Sequence, residues 1–327
     1  MYQPKLSVIL GNVGSCSDRY MTGGYSDSFS VEEMFERVAQ IDGVKGIELV
    51  GNWHISSGNV KEVERLLKQT GKELVSIIPD NFGTRKWGKG AYSSKDAGLR
   101  SEAVAETKEM MDIAAALGGN LLSLWPGQDG YDYLFTADYG KERSWFEEAI
   151  AECAKYRRDV RLSIEYKPKE PRIRSYASNV YSTLLMVQEI QDENVGVTVD
   201  YGHATTAYEN VAESIAVLKK YGNKLFHMHM NDNFCMWDDD MIVGSVHSIP
   251  YIEMFYWLKK TGYQGYISTD QYPYREDGKA AVEESIRWME AYLRLVDKAG
   301  DDIFEELMNA GDAVKTSRYM RELLMKE

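Results

Sequence analysis

The feature that most constrains this chain is a regular alternation of short β-branched or apolar runs with longer amphipathic stretches. The runs are Leu6–Leu10, Gly46–Val50, Leu74–Ile78, Asn120–Leu124, Arg161–Glu165, Gly196–Asp200, Lys224–His229 and Tyr266–Asp270. Helical stretches start near Val31, Val60, Asp96, Lys141, Ser175, Glu209, Pro250 and Lys279. Within the sixth of these, Val211, Ile215 and Leu218 recur at helical spacing and fall on one face. Such alternation predicts parallel α/β architecture, and eight strand-helix units in about 300 residues fit a closed (β/α)8, or TIM, barrel. An open doubly wound sheet is the alternative, but no G-x-G-x-x-G follows the first strand. The expected organisation is a barrel over residues 1–299 and a C-terminal helical extension over 300–327, where the pattern stays helical and is too short for its own core. Ile303, Phe304, Leu307, Val314, Tyr319, Leu323 and Leu324 give that extension an apolar surface, to be covered by the barrel wall or by another subunit. A homo-oligomer is the expectation.

Charge narrows the function. The 327 residues include 38 basic and 51 acidic side chains, a net charge of −13, whereas gripping nucleic acid needs clustered Lys and Arg. Cys16, Cys153 and Cys235 are too far apart for a disulfide framework or a C-x-x-C site. No run is long and apolar enough to span a membrane, and MYQPKLSVIL lacks the features of a secretory signal. The expected setting is the cytoplasm. Asp80 to Ser94 is a long Gly-rich, aromatic connection and a candidate lid.

The strand ends are the informative positions. The fifth run ends in Glu165; Asp200 and His203 end the sixth, His229 and Asp232 the seventh, and Asp270 the eighth. In a barrel all these ends open on one face, where active sites lie. Buried carboxylates need compensation, and a divalent cation is the usual source. Mixed carboxylate and imidazole ligands fit Mn²⁺, Co²⁺, Mg²⁺ or Zn²⁺, the oxygen-rich bias favouring Mn²⁺ or Mg²⁺. Taken singly, each of these residues equally suits a helix N-cap or a surface turn. His227 and His229 share a face of their strand; His229, nearer the mouth, is the ligand candidate and His227 an interior hydrogen-bonded residue. Asp238, Asp239 and Asp240 form a second acidic cluster: with His203 and a bridging Asp200 it makes a second ion site, and otherwise a solvated turn.

Several segments resemble xylose isomerases and L-rhamnose isomerases, in the expected order: WPGQDGYDY at Trp125–Tyr133, IEYKPKEP at Ile164–Pro171, DYGHA at Asp200–Ala204, HMND at His229–Asp232, DDDMIVGS at Asp238–Ser245 and TDQYP at Thr269–Pro273. The resemblance spans roughly Leu74 to Asp277, and its xylose-isomerase-like superfamily also holds keto-sugar 3-epimerases, inosose dehydratases and isomerases, and the large subunits of C-glycoside-cleaving enzymes. It implies a structural metal on Glu165, Asp200, His229 and Asp270, and a catalytic metal on Asp200, His203, Asp238 and Asp240. It also implies that Lys167 touches the carbonyl oxygen of an open-chain sugar, that Trp125 walls the substrate, and that Glu170 orients nearby basic groups. The related isomerases end their second strand in a ring-opening His; here IELVGNWHI offers His54 several residues later, as a replacement or as a loop residue.

The function these features predict is a metal-dependent aldose-ketose isomerase acting on a small unphosphorylated sugar. Lys167, Glu165, Asp270 and His203 are the candidate catalytic residues, and Trp125, His54 and Lys167 the candidate substrate contacts. Rivals are a one-metal keto-sugar epimerase, a lyase or C-deglycosidase subunit that acts on a keto-glycoside with a second polypeptide, and a sugar-binding protein without activity.

Overall fold

A computed structural model of the chain describes residues 2–16, 21, 23–272 and 275–325. Pro273 of the TDQYP segment and the last two residues of the extension lie outside the described residues. The strands are β1 (Lys5–Ile9), β2 (Val44–Val50), β3 (Glu73–Ile78), β4 (Leu121–Leu124), β5 (Gly130–Tyr131), β6 (Arg161–Glu165), β7 (Arg174–Ser175), β8 (Val195–Asp200), β9 (Leu225–Met230) and β10 (Tyr266–Thr269). Eight of them form a closed parallel barrel in the order β1-β10-β9-β8-β6-β4-β3-β2. β1 closes it by pairing in parallel with both β2 and β10, which removes the open-sheet alternative. Helices pack outside, several started by the short polar side chain that follows a strand or loop: Ser30 caps Val31–Ala39 in a capping box with Glu33, Asp96 caps Ala97–Ala116 and Asp277 caps Gly278–Ala299.

Two expectations change. The stretch from Ser175 is not yet helix: Arg174–Ser175 pairs antiparallel with Gly130–Tyr131, and the helix begins at Val180 behind an Asn179 cap. This small ribbon ties the β4 and β6 loops together so closely that a Cβ on Gly130 would stand 2.1 Å from the Arg174 carbonyl oxygen. The Asp80–Ser94 connection is anchored rather than free, because Trp87, Ala91 and Tyr92 are buried. Asp129 Oδ1 accepts hydrogen bonds from the Ala91 and Ser93 amides at 3.0 and 2.7 Å and from Ser93 Oγ at 2.7 Å.

The extension forms helices Asp301–Ala310 and Ala313–Met325 and packs on the barrel's own helix Ser248–Thr261. Phe304 stacks 4.7 Å from Tyr256, and Lys260 pairs with Glu305 at 3.0 Å. Among the described residues no helix is long and apolar enough to cross a membrane.

The barrel interior is unusual in carrying a polar layer where bulky aliphatic residues normally pack. Ser7, Glu48, Ser76, Ser123, Ser163, Thr198, His227 and Ser268 are fully buried. They satisfy one another: Ser123 with Thr198 at 3.0 Å, Thr198 with Ser163 at 2.6 Å, His227 with Glu48 at 2.7 Å, and Ser76 with Glu48.

Candidate metal centre

The residues singled out by their strand-end positions gather at the C-terminal mouth. Glu165 and Asp200 are the last residues of β6 and β8, His229 is next to last in β9, and Asp270 follows β10. The register sets Asp200 directly beside His229. Ligand atoms of Glu165, Asp200, His229 and Asp270 lie within 4.8 Å of one another, and so do those of Asp200, His203 and Asp238. Asp200 belongs to both groups. It is also a helix cap, its Oδ1 accepting from the His203 amide at 2.7 Å and its Oδ2 from Asn231 Nδ2 at 2.9 Å, so capping and ligand geometry coincide in one side chain. Gly202 lets the acidic loop approach, since a Cβ there would stand 2.3 Å from Asn231 Oδ1 and 3.1 Å from Asp238 Oδ1.

The acidic loop is not a solvated turn. Asp238 is buried, accepts from Lys167 Nζ at 2.6 Å and lies 3.2 Å from His203 Nε2. Asp239 turns away to accept the Phe234 amide at 3.1 Å. Asp240 lines the same cavity as Asp238, with a left-handed backbone at φ 50°, but stands outside the Asp200–His203–Asp238 group.

The chemistry of the donors around His229 suits a cation. Its Nε2 lies 3.4 Å from the Glu48 carboxylate, which being ionised can only accept, so Nε2 is the donor of that contact. The opposite nitrogen, Nδ1, is buried without a hydrogen-bond partner, 3.3 Å from both Glu165 Oε2 and Asp270 Oδ2. Burial opposes the imidazolium, yet Glu165 and Glu48 hold His229 well above its ordinary value, so without an ion a proton on Nδ1 stands between the two carboxylates where a cation would otherwise lie. Burial alone would neutralise Glu48, but His227 and His229 outweigh it and hold the carboxyl well below the usual range.

The rim carries more carboxylates than its own cations balance. Burial, with Asp270 and Asp238 adding to it against His203, pushes Asp200 up to about 7. Burial raises Asp240, reinforced by Asp238 and Asp270, and raises Asp270 against the pull of His229. Burial opposes the imidazolium of His203, yet Asp200 and Asp238 lift it to about 9. In metal-free protein, bound protons therefore take the neutralising role that an ion would take.

The cavity above these groups has a volume of about 230 Å³. Glu165, Lys167, His203, Asp238, Asp240 and Asp270 line one side. Trp53, Phe82 and Trp125 form the other, stacked edge to face with centroids 5.9 and 4.6 Å apart. Lys167 Nζ also stands 3.3 Å from Glu170 and 5.4 Å from the centre of the Trp125 ring.

The family profile described as the xylose isomerase-like TIM barrel matches residues 35–292. The chain belongs to that family. Within it, the chain is 29% identical over 247 residues to the xylose isomerase of Thermus thermophilus, covering 73% of this chain and 64% of that enzyme. It thus spans less than two thirds of that relative's length. Solved structures share the fold: a D-tagatose 3-epimerase-like protein has a TM-score of 0.68 at 22% identity, over 90% of this chain and 98% of that one. An L-ribulose 3-epimerase has a TM-score of 0.71 at 14% identity, over 92% and 98%.

In this xylose isomerase-like barrel His54 does not line the cavity. The tight turn Gly51–Ile55 folds its ring back on the strand end, where Nδ1 accepts the Val50 amide at 2.9 Å, and Trp53 faces the cavity instead. Its Cε1 and the hydroxyl of the cavity residue Tyr272 lie 3.7 and 3.2 Å from where a Cβ on Gly11 would stand. Sequence reasoning did not single out Glu48, Trp53, Phe82, Asn231 or Tyr272. Glu48 carried a signal, a lone carboxylate in the otherwise apolar run GIELV, whereas the cavity positions of Phe82 and Tyr272 depend on loop geometry.

Two outcomes follow for pH. Because an ion must displace the protons held by His203 and Asp200, Mn²⁺ affinity measured by calorimetry falls as pH drops from about 9 and further below about 7, with protons released on binding; an affinity that stays constant between about pH 5.5 and 8 would contradict the assignment. Burial depresses His54 from 6.5 to about 4, so the unfolded chain takes up a proton that the native one refuses. Its contribution is whole above pH 6.5 and is lost as pH falls toward 4, on the order of 3 kcal/mol. His54→Asn, which keeps an acceptor for Val50, should flatten that acid limb in urea unfolding; an unchanged limb would mean that the ring protonates in place.

Proposed function

We propose that this chain is a divalent-metal-dependent aldose-ketose isomerase acting on a small unphosphorylated sugar. The observation that carries this reading is the membership of Asp200 in two donor groups, one with Glu165, His229 and Asp270 and the other with His203 and Asp238. In this reading Glu165, Asp200, His229 and Asp270 hold a structural ion, while Asp200, His203, Asp238 and Asp240 hold a catalytic one. Mn²⁺ or Mg²⁺ suits the oxygen-rich set best, with Co²⁺ or Zn²⁺ as substitutes. Such ions supply Lewis-acid polarisation of adjacent hydroxyl and carbonyl oxygens.

The chain's own residues do the rest. Isomerisation moves a hydrogen from C2 to C1 and a proton from O2 to O1, with negative charge developing at the carbonyl oxygen. Lys167 is suited to that oxygen: burial opposes its charge, but Asp238 and Asp240 keep it an ammonium, and Asp238 and Glu170 fix its direction. Glu165, Asp270 and His203 are the groups within the cavity able to exchange protons with substrate hydroxyls. Trp53, Phe82 and Trp125 suit the C–H face of a sugar and keep bulk water from the reacting carbons. Among the described lining residues four carboxylates stand against one lysine, which disfavours a phosphorylated substrate.

A second reading, one-ion chemistry on a sugar or glycoside that already bears a keto group, is favoured by the position of His54. With that ring turned away, the described cavity offers no imidazole besides His203 to assist ring opening. One double variant separates the two. Asp238→Asn with Asp240→Asn should leave one bound ion and lower aldose-ketose turnover by several orders of magnitude, each ~1.4 kcal/mol of lost stabilisation being tenfold in rate. Unchanged metal content with most of the activity retained would overturn the two-ion isomerase and leave the keto-sugar reading.

A further inference from the structure

Apart from the sugar cavity, the loop after β9 holds a nucleophile, a base and an orienting carboxylate in sequence. Cys235 Sγ lies 3.3 Å from His247 Nε2, and His247 Nδ1 lies 2.7 Å from Asp232 Oδ1. Asp232 is fully buried, and backbone amides pin it: Asn233 donates to Oδ1 at 2.9 Å, and Val246 and His247 donate to Oδ2 at 2.8 and 3.1 Å. An anion so held accepts a hydrogen bond from Nδ1–H of the imidazole and leaves the Nε2 lone pair toward sulfur, the relation that activates a nucleophile in acyl-transfer enzymes. Cys16 and Cys153 are buried, whereas Cys235 is exposed, on a left-handed residue with φ 64° whose amide is tied to Asn233 Oδ1 at 2.9 Å.

We infer that Cys235, His247 and Asp232 form a base-activated thiol site that reacts with small-molecule disulfides. As Sγ attacks one sulfur of the disulfide, His247 Nε2 accepts the thiol proton; the old S–S bond breaks, a new one joins Cys235 to that sulfur, and the departing thiolate takes the proton from the imidazolium. The disulfide is the only oxidant needed. Burial and Asp232 raise the Cys235 thiol, so little thiolate exists at neutral pH without help and the histidine is what makes the site fast. The adduct would stand three residues before Asp238, on the loop that carries the second donor group. This inference does not depend on the sugar reaction.

The test uses the full chain and the neutral probe 2,2′-dithiodipyridine, followed by absorbance. One thiol per chain should react rapidly at pH 7, and Cys235→Ser should remove that phase. His247→Asn should slow it roughly tenfold or more at pH 7, and the two rates should converge near pH 10, where solvent ionises the thiol directly. A wild-type rate in His247→Asn at pH 7, or a rapid phase that survives Cys235→Ser, would overturn the site. The wild-type pH profile checks the same point without any variant. A rate that levels off below about pH 8 supports base assistance, and one that climbs tenfold per unit from about pH 6 to 8.5, as an unassisted thiol does, refutes it.

Discussion

Glu48 is a carboxylate sealed inside a parallel barrel, and much of the rim depends on how its charge is kept. A buried carboxylate with no partner would protonate, and a buried ion pair survives only where hydrogen bonds satisfy what Coulomb attraction leaves over. Here Ser76 donates to Glu48, His227 meets it at 2.7 Å, and His229 reaches it with Nε2. Holding Nε2 of His229 at Glu48 aims the other nitrogen at the mouth, where it carries a proton in the metal-free protein and would offer a lone pair to an ion that displaced that proton. From that point the arrangement above follows: two carboxylates facing Nδ1, a carboxylate shared between two groups, and an acidic loop folded over them.

The cavity divides into two walls of opposite character, and the division follows from where each wall is anchored. Carboxylates come from the end of β6, from the residue after β10 and from the loop after β9, while the aromatic wall comes from the loops after β2, β3 and β4. The aromatic loops are themselves held from below. Asp80 accepts the Trp53 indole at 2.9 Å, and Asp129 holds the Ala91 and Ser93 amides. A long connection read as a lid is therefore part of a preorganised wall, which is the form a sugar site needs if hydroxyls are to meet fixed partners.

Much of this was legible in the sequence because barrel strands announce themselves by local composition and their ends by polarity. The eight runs all became barrel strands, with boundaries shifted by a residue or two, and Glu165, Asp200, His229 and Asp270 stand together because parallel strands must share a mouth. What could not be read was set by distant contacts. Arg174 and Ser175 become strand only because Gly130 and Tyr131 offer an edge. His54 leaves the cavity because a tight turn bends it back on Val50, and Cys235 meets His247 only through the bridge between Asp232 and Met241 that folds the acidic loop.

The proposed ion would lie among Glu165, Asp200, Asp270 and the Nδ1 of His229, with Nε2 retained by Glu48. Diffraction from crystals grown with Mn²⁺, collected at the manganese edge, tests it most directly. The expected result is an anomalous peak within bonding distance, about 2.0–2.3 Å, of those four side chains, with His229 Nε2 still facing Glu48. A map without that peak at saturating Mn²⁺, or a His229 ring turned so that Nε2 meets the ion and Glu48 loses it, would rule this ion site out.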